Sequence, residues 1–253
     1  MQYICGVPTG GFGCFFTTIP LFYLELMNTS MEGKTHLFCA LMYFGAALFA
    51  AYKAGAVDAY SSLLFFLAAF EGVLLPDIDA NKSLITKIKL TGILKFVAFL
   101  AKTIAYATKF VLYLFLKLIL FFYGKKDRHR GVMHSFKGLI SVCVFWLLIG
   151  YLALDYFHAM KYFKDLLLIV LGLLFGYAMH LWHDSLTVAG VAFTSKFKLH
   201  GWLKTGRHEF LLQMFFLVIS AFSAYLTNST GYLYGGAILA ISIPLSYLFF
   251  GRT

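Results

Sequence analysis

Six apolar runs decide what this chain can become. They are Leu37–Tyr52, Tyr60–Leu75, Leu139–Leu154, Leu166–Leu181, Phe210–Leu226 and Tyr232–Phe250. A helix needs about 20 apolar residues to cross the hydrocarbon core, or somewhat fewer where neighbouring helices bury its ends. Short polar linkers, "KAGAVD", "DYFHAMKYFKD" and "TNSTG", separate several of the runs. Inside a bilayer no water satisfies backbone N–H and C=O groups, so such runs must be helical. The pattern therefore predicts an all-α, polytopic membrane protein with about six transmembrane helices. Composition points the same way. The chain is 61% hydrophobic and 13% charged, against roughly 45–50% and about 25% in soluble domains. Mean hydropathy is +0.81. A soluble fold with this much apolar surface would aggregate.

The segment Ile85–Tyr123 does not fit the six-run scheme. It is apolar but carries Lys89, Lys95, Lys102, Lys109 and Lys117, at steps of 6, 7, 7 and 8. That spacing draws a lysine stripe down one face of a helix. Lysines at the centre of a spanning helix are costly, whereas a helix lying in the headgroup plane lets its cations meet anionic lipid. The expected element is an interfacial lysine-striped helix; a transmembrane hairpin with snorkelling lysines is the alternative.

Charge sets the sidedness. The formal net charge is +10. With the six spans alternating, and 76–137 returning to the side it left, one face gathers, apart from the five lysines of the stripe, Lys34, Lys82, Lys87, Lys125, Lys126, Arg128, Arg130, Lys137, Lys196, Lys198, Lys204, Arg207 and Arg252. The opposite loops hold Lys53, Lys161 and Lys164. Thirteen against three places the first face in the cytoplasm by the positive-inside rule. The expected partners are the bilayer and anionic headgroups, not nucleic acid, because no basic nucleic-acid-binding motif is present.

Cys5, Cys14, Cys39 and Cys143 are scattered, with no C-x-x-C, and read as packing residues. Residues 1–30 are apolar but lack the basic start and small-residue cleavage site of a signal peptide. They read as a doubtful N-terminal extension, with a short extra membrane helix as the alternative. "MEGKTHLF" from Met31 resembles a natural start, which leaves 31–253 as a single membrane-embedded domain.

The same topology gathers the metal-ligand residue types at one face. His36 opens the first span, and "PDID" closes the second with Asp77 and Asp79. "HRGVMHS" precedes the third with His129 and His134, and "HLWHD" closes the fourth with His180 and Asp184. Residues four apart share a helix face. Imidazole and carboxylate suit zinc, manganese or iron. Each piece alone has a bland reading: a solvated D-x-D turn, a surface His–Asp pair, one more cationic loop. Ionisable groups beside hydrocarbon are costly unless paired or metal-bound, so four segments presenting them at one depth point to a site. His183 lies about 100° around the helix from Asp184 and is a weak candidate. His158 falls in an opposite-side loop and is excluded. His200 and His208 lie in "KFKLHGWLKTGRHE", which could cover the site or touch headgroups.

The ordered set resembles the YdjM-like family of bacterial inner-membrane proteins assigned as metal-dependent hydrolases. Its pieces here are His36, Pro76-Asp77-Ile78-Asp79, His129-Arg130-Gly131-Val132-Met133-His134-Ser135, Gly176-Tyr177-Ala178-Met179-His180 with Asp184, and Trp202 to Gly206. The resemblance covers roughly residues 31–210. Ala80 stands where the family often has a histidine, and the segment between the second and third motifs is longer than usual. The resemblance implies a bacterial inner-membrane location. Through distant likeness to helical, metal-clustered phospholipase C and nuclease folds, it also implies phosphoester chemistry.

Two function classes follow. The first is a membrane-bound metallohydrolase, with one or two divalent ions, zinc or manganese, held by His36, Asp77, Asp79, His129, His134, His180 and Asp184. Asp77 or Asp79 then takes the proton of water, and Arg130 neutralises an anionic substrate group. Ser135 reads as a helix N-cap. The second is a non-catalytic metal protein, for transport, sensing or structure. Transport is disfavoured because its ligands belong near the bilayer midplane.

Overall fold

The computed structural model describes residues 31–79, 103, 110, 134–192, 198–204 and 208–251. Two segments singled out by sequence, residues 1–30 and the lysine-striped 85–123 apart from Thr103 and Phe110, lie outside the described residues.

The expected six long helices are present. They are α1 (Met31–Lys53), α2 (Ala59–Leu74), α3 (Phe136–Tyr156), α4 (Phe163–Ser185), α5 (Glu209–Ser229) and α6 (Tyr232–Phe250). All six belong to spans long and apolar enough to cross a membrane. The apolar runs locate them, but the helices run past the runs where polar residues can still hold helical backbone. Helix α4 begins three residues before Leu166 and ends four after Leu181, so it carries His180, His183 and Asp184. A 3-10 turn, Leu75–Asp79, continues α2, and another, Met160–Tyr162, leads into α4. Between α4 and α5 lies a two-residue antiparallel hairpin, β1 (Val191–Ala192) with β2 (Lys198–Leu199).

Local chemistry starts and stops these elements. Asp58 caps α2 by accepting from the Ser61 amide at 2.7 Å. Those Ser61 hydrogen bonds hold the exposed Asp58 carboxyl below its ordinary pKa. Ser135 caps α3, its hydroxyl accepting from the Gly138 amide at 3.3 Å, as its place in the sequence suggests.

Helices α2 and α4 form the closest pair, and glycine is the reason. A Cβ on Gly172 would sit 2.6 Å from the Phe65 carbonyl oxygen and 2.7 Å from the Ala68 Cβ. Gly176 faces the Ala69 carbonyl and Gly72 faces Leu173, each too closely for any side chain. Without a hydrophobic drive between helices in lipid, small residues let backbones approach and gain van der Waals contact. Around this pair α1 packs on α2 and α4, α3 packs on α4, and α5 with α6 close the other side of α1. Leu37, Phe44, Val73, Leu75, Val142, Leu173, Tyr177 and Phe216 form the buried core. Ile140, Val144, Leu148 and Leu152 make an exposed stripe along α3, a surface suited to lipid.

Hydroxyls and indoles tie α6 in place. Ser223 Oγ donates to the Gly235 carbonyl at 2.9 Å, and Trp182 Nε1 donates to Ser246 Oγ at 3.0 Å. The loop after α4 is sewn to the end of α6, with Trp202 N donating to the Phe250 carbonyl and Trp202 Nε1 to the Phe249 carbonyl.

Candidate metal centre

The start of α1, the end of α2, the start of α3 and the end of α4 meet at one end of the bundle. They bring together His36, Asp77, His134, His180 and Asp184. His36 Nε2 lies 3.5 Å from Asp184 Oδ1. His134 Nε2 lies 3.2 Å from Asp77 Oδ1 and 3.8 Å from Asp184 Oδ2. His180 Nε2 lies 3.8 Å from Asp77 Oδ1 and 3.5 Å from Asp184 Oδ2.

Each side chain is aimed by its element. His180 and Asp184 are four apart on α4 and share a face. His180 Nδ1 donates to the Val73 carbonyl at 2.7 Å, which leaves the Nε2 lone pair facing the cluster. Gly176, which faces Ala69 and Val73 with no side chain, lets α4 approach α2 closely enough for that bond. His134 directly precedes the Ser135 cap, so the same turn that starts α3 delivers it to the site. Asp77 sits in the 3-10 turn that ends α2. The His36 and His180 rings stack with centroids 4.3 Å apart.

These five residues fit a divalent ion. Donor atoms around a tetrahedral ion with bonds of about 2.0–2.1 Å stand about 3.3 Å apart, and neighbouring donors around an octahedral one about 2.9 Å. The nitrogen–oxygen separations, 3.2 to 3.8 Å, lie near those edges. Most are too long for hydrogen bonds. His36, His180 and Asp184 place donor atoms within 4.8 Å of one another, as do Asp77, His134 and His180. The His180 Nε2 atom is buried without a hydrogen-bond partner. Two carboxylates balance the charge of one divalent ion, and a nitrogen-and-oxygen donor set suits zinc, manganese or iron.

The site has one open edge among its described members. The Asp77 side chain is 28% exposed, whereas those of His36, His134, His180 and Asp184 are between 1% and 8%. His129 and Arg130 lie outside the described residues, as does the Asp79 side chain.

His183 is placed differently. It is fully buried behind His36, stacked at 5.5 Å, with Phe216 edge-on at 5.0 Å, and neither ring nitrogen has a hydrogen-bond partner. Beside it a recess of about 20 Å³ reaches Thr35, His36, Thr187 and Glu209. That volume accepts a single water. His158 lies in the turn after α3, at the far end of the bundle. His208 Nδ1 accepts from the Lys204 amide at 3.1 Å and its ring meets Trp202, while His200 is exposed.

Three supports of the site escape motif reading: the Val73 carbonyl, the glycine contacts, and a Thr35–Glu209–Gln213 cluster beside His36. Gly172 and Gly176, four apart in an apolar run, are the small-residue spacing that signals close helix packing. The other two have no sequence signature, because they depend on which helices become neighbours.

A family model described as YdjM inner membrane protein matches residues 31–252. The chain belongs to that family. The matched range takes in all six helices and every member of the His/Asp cluster. No curated protein and no solved structure matches the chain.

Proposed function

We propose that this protein is a metal-dependent hydrolase embedded in the bacterial inner membrane, with its site open to the cytoplasm. The observation that carries the reading is the meeting of His36, Asp77, His134, His180 and Asp184 from four chain segments at ion-coordination spacings. When bound, a divalent ion supplies Lewis-acid polarisation of the scissile oxygen and makes water nucleophilic near neutral pH. His36, His134, His180 and Asp184 would hold the ion, and zinc or manganese suits them. Asp77, on the open edge, or Asp79, whichever is not a full ligand, would accept a proton from the attacking water. By sequence, Asp79 and His129 are further candidate donors. Arg130 neutralises the substrate's anionic group.

The site lies at the ends of four helices long and apolar enough to cross a membrane, and thirteen cations are expected on that face. That favours a phosphoester, in particular an anionic or lipid-linked one. A closed structural metal site would have no exposed ligand, so the accessible Asp77 favours catalysis over a purely structural ion. Transport is disfavoured because the ligands gather at one end of the bundle.

The test is turnover by the full-length protein in vesicles against soluble phosphoesters, anionic phospholipids and lipid-linked phosphates. Hydrolysis should stop with a chelator, return with Zn²⁺ or Mn²⁺, and be absent in Asp184→Ala. A metal-loaded wild type with no turnover on any of the three classes would sink the hydrolase reading.

A further inference from the structure

His36 differs from His180 in how it is aimed. His180 is fixed by its own hydrogen bond to the Val73 carbonyl, whereas the His36 Nδ1 atom is buried with no hydrogen-bond partner. The orientation of His36 therefore comes from ring stacking, from the Asp184 carboxylate 3.5 Å from its Nε2, and from the placement of its backbone. Stacking alone allows the ring to slide. The backbone is held one residue away. Thr35 is buried, 3% exposed, and its hydroxyl donates to Glu209 Oε2 at 2.9 Å while accepting from Gln213 Nε2 at 3.1 Å. Glu209 and Gln213 are four apart on α5, so they grip Thr35 from one helix face.

The residues around this grip do not form a second metal site. His183, His208 and Glu209 all border the recess beside His36, yet no three of their donor atoms converge within coordination range among the described residues. Chemistry suggests a different role. A hydrogen bond to a carboxylate is roughly twice as strong as a neutral one, and low local dielectric strengthens it further. Glu209 also lies in the first turn of α5, where the helix dipole favours negative charge. The grip thus joins α1 to α5 at the one place where α1 enters the candidate metal centre.

We propose that Glu209, acting through Thr35 with Gln213 as the second arm, is a positioning residue that sets His36 for metal binding. This rests on the metal-centre reading above. Neither Glu209 nor Thr35 touches the ion. Their loss leaves the donor set intact and loosens one donor. Outer partners of metal-ligating histidines typically change metal affinity by about 10–100-fold, and this arrangement should fall in that range.

The experiment uses Co²⁺ as the probe on full-length protein in detergent micelles, because its visible absorption reports coordination geometry. Affinity is read by competition with a chromophoric chelator, and the Tm of the metal-free protein is recorded beside it. Glu209→Ala and Thr35→Val should bind Co²⁺ about 10–100-fold more weakly with an altered spectrum, measured at a temperature where the metal-free variants are still folded, their metal-free Tm falling by no more than several degrees. Glu209→Gln, which keeps an acceptor oxygen for Thr35, and Thr35→Ser, which keeps the hydroxyl, should restore affinity and spectrum. Wild-type affinity and spectrum in Glu209→Ala would overturn the proposal. So would a loss in Glu209→Ala that Glu209→Gln shares in full. A wild type that binds no Co²⁺ would overturn the metal-centre reading itself, and this inference with it.

Discussion

Replacing Gly176 by alanine should disable the candidate site without touching any ligand. A Cβ at this position falls far inside contact with the Ala69 carbonyl oxygen and 2.9 Å from both Ala69 C and Val73 N. The obstacles are backbone atoms, so helix α4 must retreat from α2. Relief of the Val73 contact alone takes about half an ångström, and the carbonyl contact requires a shift on the order of 1 Å in so tightly packed an interior. The His180 Nδ1 to Val73 carbonyl bond, now 2.7 Å, would then exceed hydrogen-bonding range. Overpacking costs about 1–3 kcal/mol, and a buried imidazole N–H left without an acceptor another 1–3 kcal/mol or so. A loss of about 2–6 kcal/mol corresponds to a fall in Tm of roughly 5–20 °C for a chain of this size. The assay is thermal unfolding in detergent followed by circular dichroism, paired with metal binding at a temperature where the variant is folded. Gly45→Ala is the control, since its Cβ would meet nothing within 4 Å. It should be neutral or stabilising by up to about 1 kcal/mol, from helix propensity. Wild-type Tm and metal affinity in Gly176→Ala would refute the claim that glycine packing aims His180.

Three further outcomes follow from the caps and from one buried acid. Ser135→Ala should cost about 1 kcal/mol and weaken metal binding, because the cap that starts α3 also places His134; equal metal affinity would separate the two roles. The depressed pKa of Asp58 contributes stability that is present above its ordinary value, near pH 4, and fades as pH falls through the folded value. Asp58→Asn should therefore flatten the acid limb of a Tm-against-pH curve while α2 stays capped, and an unchanged limb would remove Asp58 from the account. Glu71 is buried within the second span, and its Oε1 has no hydrogen-bond partner. Glu71→Gln should match or exceed wild-type Tm, whereas Glu71→Lys should prevent stable accumulation in the membrane; a well-folded lysine variant would show that this position is wetter than its burial indicates.

Much of the architecture was legible because the bilayer leaves few options. Apolar runs of near-spanning length must be helices, and alternating them brings His36, Asp77, His134, His180 and Asp184 to one end before any contact is known. The i, i+4 spacing of His180 and Asp184 and the capping place of Ser135 were readable from local rules, and the helices carry both as local rules require. What was not legible depends on neighbours. The Val73 carbonyl is a backbone atom whose role appears once α4 lies against it. Thr35 and Glu209 are 174 residues apart and meet because α5 packs beside α1. Direction on the helix makes His183 a weak candidate, whereas its full burial, between His36 and Phe216 of another helix, depends on packing. Short motifs report what a helix presents, and packing decides what receives it.

The central claim is that five distant residues form one metal centre. The most direct measurement is metal content by mass spectrometry on detergent-purified, full-length protein, with Asp184→Ala and His180→Ala beside wild type. The account predicts at least one equivalent of a transition metal in wild type and its loss from both variants, with their metal-free folds retained. A wild type that stays metal-free after reconstitution, or variants that keep the metal in full, would contradict it.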